Sequence, residues 1–161
     1  MPRVAIEDGY FTIPDSIGEA PRLLGSRCPS CGEHFFPHRL VCAKCLHEGC
    51  EDVTLGPTGR LYTWTYVHVP LFAKKDGSVD SYGVGQVDLP EGPRVQAILV
   101  GGPDDFEIGM ELELDLEDLG PDRDGNDVVI YRFKPAATNV CEPPRSDSGR
   151  AGSQTAREAS S

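Results

Sequence analysis

Positive charge is scarce in this sequence: 15 lysines and arginines face 26 aspartates and glutamates, for a formal net charge of −11. A surface of that sign repels phosphate backbones and forfeits the counterion release behind most nucleic-acid affinity. Long apolar runs are missing too. Nothing approaches the roughly 20 consecutive apolar residues of a membrane helix. Met1 to Phe11 carries Arg3, Glu7 and Asp8 and lacks the apolar stretch of a signal peptide. Catalytic signatures are equally thin. There is no Gly-x-Ser-x-Gly elbow, no pair of carboxylates at a defined spacing, and no partner set that would make His68 or Tyr82 an acid or base. A freestanding enzyme, a membrane protein and a nucleic-acid binder are all disfavoured before any motif is considered.

Cysteine, by contrast, is well supplied. Cys28 and Cys31 form one Cys-x-x-Cys pair, Cys42 and Cys45 form a second, and 10 residues lie between the pairs. Each pair lets two thiolates converge on one side of a tight turn, and two such turns facing each other make a tetrahedral site suited to zinc. Gly32, directly after Cys31, supplies the permissive backbone that such a turn uses. Four protein sulfurs leave no open coordination position, so the spacing implies structural zinc and not a catalytic metal. His34, His47 and Cys50 are ligand types nearby, but a complete four-thiolate set needs none of them. Iron in a rubredoxin-like electron carrier is the competing metal, and it would leave the rest of the chain without a role. Paired cysteines without a secretory signal point to a reducing cytoplasm, where thiolates hold metal instead of closing disulfides.

The remaining pattern divides the chain. Residues 1–26 read as a lead-in with one short helix over Ile17 to Leu24, interrupted by Pro21. The metal module spans 27–50. Over 54–136 the pattern is that of strands: Gly59 to Val69, Tyr82 to Leu89, Arg94 to Val100, Glu111 to Glu117 and Val128 to Phe133. The fourth is the cleanest, because Leu112, Leu114 and Leu116 alternate with acidic residues that read as a solvated face. Phe72 to Val79 reads as an exposed loop, and Asp104 to Gly109 has room for a single helical turn. Five short antiparallel strands fit a small barrel or a sandwich. Residues 141–161 are almost all small or polar, too poor in apolar side chains to offset ordering entropy, and read as a disordered tail with Cys141 as a bystander. Arg145, Arg150 and Arg157 balance Glu142, Asp147 and Glu158 there, so the acidic excess falls on the rest of the chain.

Several blocks in order resemble a known family. Arg27-Cys28-Pro29-Ser30-Cys31-Gly32 is followed by Phe35-Phe36-Pro37-His38-Arg39 and Cys42-Ala43-Lys44-Cys45. Gly59-Arg60-Leu61-Tyr62-Thr63-Trp64-Thr65, Val67-His68, the run from Tyr82 to Gly92 and Ile108-Gly109-Met110 come next. Together, over about residues 22–136, they resemble a bacterial and archaeal family that joins a rubredoxin-like zinc ribbon to an OB-fold and was long known as a domain of unknown function associated with acyl-CoA metabolism. The resemblance implies a mainly β protein, a zinc ribbon followed by a five-stranded OB-fold barrel. It also implies a non-catalytic subunit that docks on a thiolase-superfamily enzyme, a thiolase or a retro-aldolase in the breakdown of steroid or other acyl-CoA compounds. Such a subunit helps form the CoA-thioester site while the partner carries catalysis, and thiolase-like dimers imply a two-plus-two heterotetramer. Two departures stand out: the lead-in is too short and proline-broken for the amino-terminal helical hairpin many members carry, and His38 stands where proline is usual.

The contact candidates follow from that resemblance. Arg39, between the cysteine pairs, presents several donors to a phosphate such as those of CoA, or else caps ribbon carbonyls. Arg60, Lys74 and Lys75 are further phosphate candidates, the lysines serving equally to solvate a loop; His68 and Tyr82 are candidates for ligand or partner contact. Tyr62, Trp64 and Tyr66 share one face of a regular strand. That array is the best support for the rival function, single-stranded nucleic-acid binding by a zinc-ribbon/OB module, although charge opposes it. The sequence is therefore read as an accessory subunit with Cys28, Cys31, Cys42 and Cys45 as zinc ligands. Acyl-CoA is its shared ligand and a thiolase-like subunit its partner.

Overall fold

Alternating apolar residues and frequent glycine and proline leave little room for helix, and the computed structural model is built of strands. It describes residues 3–14, 19–68 and 81–137. The expected loop from Phe72 to Val79, with Lys74 and Lys75, and the expected tail with Cys141 lie outside these residues. In chain order the strands are β1 (Arg3–Ala5), β2 (Leu23–Arg27), β3 (His34–Phe35), β4 (Glu51–Leu55), β5 (Thr58–Val67), β6 (Tyr82–Asp88), β7 (Arg94–Leu99), β8 (Glu111–Pro121) and β9 (Asp127–Pro135), with one 3₁₀ turn at Pro103–Asp105. Among the described residues no helix is long and apolar enough to cross a membrane.

The larger sheet runs β9-β7-β6-β5-β8, and β8 pairs back onto β9, so the five strands close into a barrel. Four of the five pairings are antiparallel. The fifth, β7 on β9, is parallel and short, joining Ile98 to Arg132 and Leu99 to Phe133. This is the connection order of an OB-fold, and the parallel pair departs from the all-antiparallel expectation because the chain must cross the barrel end to close it. Inside lie Leu61, Val87, Val95, Leu99, Leu112, Leu114, Val129 and Phe133, each nearly or wholly removed from solvent. The Tyr-Gly-Val-Gly run keeps its glycines for this interior. A Cβ on Gly85 would sit 2.7 Å from Leu99 Cδ1 and 3.0 Å from Leu61 Cδ1, and one on Gly83 would sit 2.8 Å from the Phe106 ring.

Three expectations need correction. No helix forms over the described part of Ile17 to Leu24; Leu23 and Leu24 belong to β2, pairing with Leu55 and Thr54 of β4. Long-range pairing and the complete burial of Leu23 override a helical tendency that Pro21 already interrupted. The aromatic array is broken as well. A bulge between Leu61 and Thr63 sets Tyr62 outside the register, leaving it exposed beneath the Arg94 guanidinium at 3.3 Å, whereas Trp64 and Tyr66 pack against the core. The acidic stripe of β8 is not merely solvated, since Arg132 reaches Asp115 at 2.9 Å and Glu117 at 3.1 Å, and Lys134 reaches Asp115 at 3.3 Å. Burial alone would raise the Asp115 carboxyl, but these two cations hold it below its ordinary value.

The smaller sheet, β3-β2-β4, brackets the cysteine loops, so the ribbon draws strands from both sides of the 27–50 span. The lead-in is tied to the barrel instead of hanging free: β1 pairs in parallel with Asp127–Val129 of β9, and Phe11 is buried. Gly85→Ala is expected to cost about 1–3 kcal/mol, the usual penalty for overfilling a packed core; urea unfolding of the metal-loaded protein measures it.

Candidate functional site

Two copies of one turn build the metal site. In the first, Gly32 N–H donates to Cys28 O (2.9 Å) and Cys28 N–H to Glu33 O (2.8 Å). In the second, Leu46 N–H donates to Cys42 O (3.0 Å) and Cys42 N–H to His47 O (2.9 Å). The position after each pair takes the left-handed backbone, φ +74° at Gly32 and +60° at Leu46. Facing each other, the turns bring the four sulfurs within 4.8 Å of one another, with Cys28–Cys45 and Cys31–Cys42 each at 3.6 Å. Sulfurs about 2.3 Å from a central zinc stand about 3.8 Å apart in a tetrahedron, so the donor set fits that ion with little movement.

Electrostatics tie full ionisation of the four sulfurs to a cation. Burial raises the Cys42 thiol, but N–H groups of Cys45 and Lys44 and the neighbouring sulfurs outweigh it and bring the thiol down to about 6. For Cys31 the Glu33 amide lowers the value, yet burial and the three other sulfurs push it up to about 12. Four thiols this close do not all ionise unless a dication balances them. Lys44 and Glu33, paired at 2.5 Å, tie one turn to the other on the exposed side. His34, His47 and Cys50 stand outside the four-sulfur group. Cys50 lies close enough to the ligands that burial and the charges of Cys28 and Cys42 raise its thiol.

Phe36 joins the ribbon to the rest of the molecule. Its ring meets Tyr10 of the lead-in at 5.6 Å and Tyr131 of β9 at 6.0 Å, both edge to face, and Phe11 meets Tyr131 at 5.7 Å. Sequence reading passed over these four rings, because only the fold brings them together; the adjacent Tyr10-Phe11 pair in the lead-in was the available signal.

The contact candidates do not form one site. Arg60 starts β5 and sits opposite Asp88, while Tyr82 faces Val67 at the other end of the same hairpin, with His68 next to it. Those ends are roughly 20 Å apart at the rise of a strand. Arg39 lies on the ribbon, its amide donating to the buried Ser26 hydroxyl at 3.0 Å and its guanidinium 5.9 Å from the Phe35 ring centre. Tyr82 lines a groove with Tyr10, Phe11 and Tyr131.

One zinc per chain is expected, in a colourless preparation. Chelation should abolish the near-ultraviolet circular dichroism of the Tyr10, Phe36 and Tyr131 cluster. It should spare the emission of Trp64, which is half-buried against the barrel core 5.4 Å from Phe106. A red protein with a reversible one-electron couple would identify iron, and a ribbon unchanged after complete chelation would show that the metal does not hold it.

Comparison with known proteins agrees with this geometry. The model of the ChsH2 rubredoxin-like zinc ribbon domain matches residues 15–49, and that of the ChsH2 C-terminal OB-fold domain matches 52–117. The benzoylsuccinyl-CoA thiolase subunit BbsA of Thauera aromatica is 36% identical over 117 residues, covering 73% of this chain and 78% of that one. A DUF35 domain-containing scaffold protein of Methanothermobacter thermautotrophicus is 36% identical over 118 residues, covering 70% and 86%. Among solved structures, a chain of the Ltp2-ChsH2(DUF35) aldolase superposes with a TM-score of 0.57 at 31% identity, over 71% of this chain and 85% of that one. Both halves match in the order in which the structure places them, and the chain is a member of the ChsH2/DUF35 family of zinc-ribbon and OB-fold proteins.

Proposed function

We propose that this chain is the non-catalytic subunit of a thiolase-like or aldolase enzyme, docking on it through the zinc ribbon and helping to form its CoA-thioester site. The observation that carries the reading is kinship: relatives matched over most of their length are named as a thiolase subunit and a scaffold, and the matched structure is an aldolase assembly. No described group of side chains supplies a nucleophile with its base, which leaves the chemistry to the partner. Arg39 and Arg60, both exposed, are the phosphate contacts in this reading, with His68 and Tyr82 at the far end of the barrel hairpin. A two-plus-two assembly in the cytoplasm suits a chain whose thiolates are held as metal ligands. Steroid and other acyl-CoA breakdown are the processes it would serve.

The second metal turn carries the docking surface. Leu40, Val41 and Leu46 are 72%, 46% and 77% exposed there, large apolar side chains on a strongly acidic protein. Leu46 also holds a left-handed backbone that the first turn gives to glycine, at a cost of about 1–2 kcal/mol for an L-residue. A side chain kept exposed against backbone strain is one that a partner uses.

Purification from the native source is expected to recover a condensing or retro-aldol subunit with this chain; a lone monomer that no such enzyme joins would end the reading. Leu46→Gly separates docking from mere tolerance. It is expected to raise stability to urea by about 1 kcal/mol while weakening partner binding about tenfold, both measurable on the purified subunits. Unchanged partner affinity would remove Leu46 from the interface.

A further inference from the structure

The barrel seam holds a cavity that the metal and the arginines leave unexplained. Because β7 and β9 pair only through Ile98–Leu99 and Arg132–Phe133, the strands part below that point. The lead-in lies over the gap, with Ile6 N–H donating to Val129 O at 2.9 Å. A groove of about 550 Å³ results, walled by Ile6, Phe11, Val84, Ile98 and Ile130. Tyr131 spans its floor and donates its hydroxyl to Gln96 O at 3.1 Å. Burial, with Tyr10 and Glu7 nearby, raises the Tyr131 phenol and keeps it a donor.

The groove continues onto the outer face of the barrel. Val84 and Gln96 also line a cleft of about 240 Å³ with Trp64 and Gln86. Strand register orders that face in rows: Thr65, Val84 and Ile98 stand side by side, and Thr63, Gln86 and Gln96 form the next row. The first row is apolar at Val84 and Ile98 and ends in the Thr65 hydroxyl; the second carries two amides and a hydroxyl. In a chain of net charge −11, neither cavity is lined by a lysine, arginine or aspartate, and Glu7 is the one acid among the lining residues.

We propose that this continuous face binds the uncharged, acyl-bearing end of a thioester: a hydrocarbon acyl group in the seam groove and its amide-bearing arm along the glutamine row. The ligand class follows from the lining. A groove of this size with apolar walls takes hydrocarbon. Each glutamine offers a donor and an acceptor, the complement of the amides of a pantetheine-type arm. A free carboxylate is disfavoured by Glu7 and by the lack of a cation among the described residues that line the two cavities. The proposal rests on the reading of this chain as a CoA-thioester subunit, and it assigns to the chain itself a contact with the acyl portion.

The test uses the full metal-loaded chain and the emission of Trp64, its one tryptophan. S-hexanoyl-pantetheine is expected to change that emission saturably, and to bind at least about tenfold more tightly than pantetheine, which lacks the buried methylenes; hexanoate alone should not bind. Ile98→Glu is expected to abolish the response, and Gln96→Ala to weaken it about tenfold, with zinc content and far-ultraviolet circular dichroism unchanged. Should Ile98→Glu fail to fold, Ile130→Ala, which only removes part of a wall, is expected to weaken binding about tenfold. No saturable response, or an Ile98→Glu or Ile130→Ala protein that binds as the parent does, overturns the proposal. Co-purification reports the other claim separately. A chain that joins a condensing enzyme yet ignores hexanoyl-pantetheine loses the groove and keeps the accessory role; one that binds the thioester but joins no enzyme does the reverse.

Discussion

Four cysteine sulfurs, all within 4.8 Å of one another and placed to hold one divalent ion, stand where the ribbon has no hydrophobic core. Between residues 28 and 50 the only buried residues are Cys28 and Cys42, two of the ligands themselves. A segment that short buries too little apolar surface to offset its ordering entropy, whereas thiolate coordination contributes about 10–16 kcal/mol in comparable zinc peptides. The consequence runs outward. A metal held by the four sulfurs would fix the turns; the turns set β3, and the chain leaving β3 delivers Phe36 to Tyr10 and Tyr131. The aromatic floor of the seam groove is thereby supported from the metal site, although no ligand atom lies in the groove.

What the sequence discloses is what local spacing encodes. Two cysteines three residues apart can hardly do other than converge, and the four sulfurs are found as the spacing implies. Strand β8 begins with so regular an alternation that its inward face is legible residue by residue, as with Leu112 and Leu114. The OB-fold was legible only through its resemblance, since alternation alone suits a sandwich as well as a barrel. Features set by distant partners were not legible. A strand of three residues such as β1 has no period of its own and exists because β9 offers Asp127–Val129 as a template. Leu23 and Leu24 look helical until β4 pairs with them. The bulge at Tyr62 shows how one inserted residue undoes a pattern argument, for it turns a face of three aromatics into two inside and one outside.

Charge shows the same limit. A count of acids describes the far field, which keeps polyanions away, but it does not say where neutral surface lies. On β8 the acids are met across the strand pair by Arg132 and Lys134. Arg94 is spent on Asp88, at 2.6 and 3.1 Å, and shielded by Tyr62. Paired charges of this kind add little stability at a surface. Their effect is to neutralise part of the acidic surface locally, which a net charge does not reveal.

Two surfaces with different chemistry therefore sit on opposite sides of one set of rings. The ribbon tip exposes Leu40, Val41 and Leu46, the last in a left-handed backbone, beside the four sulfurs; the barrel seam is apolar, concave and edged with amides. Phe36 and Tyr131 are one packed connection between the modules that carry them. Packed rings shift in discrete steps and transmit displacement poorly unless both neighbours move. Under the proposed function this favours a subunit that presents the groove already formed, because a metal-braced ribbon has little slack to pass on. Preorganisation of that kind lowers the cost of binding for the ligand and the partner alike, and in that reading the four-cysteine turns serve to hold a surface loop in one shape.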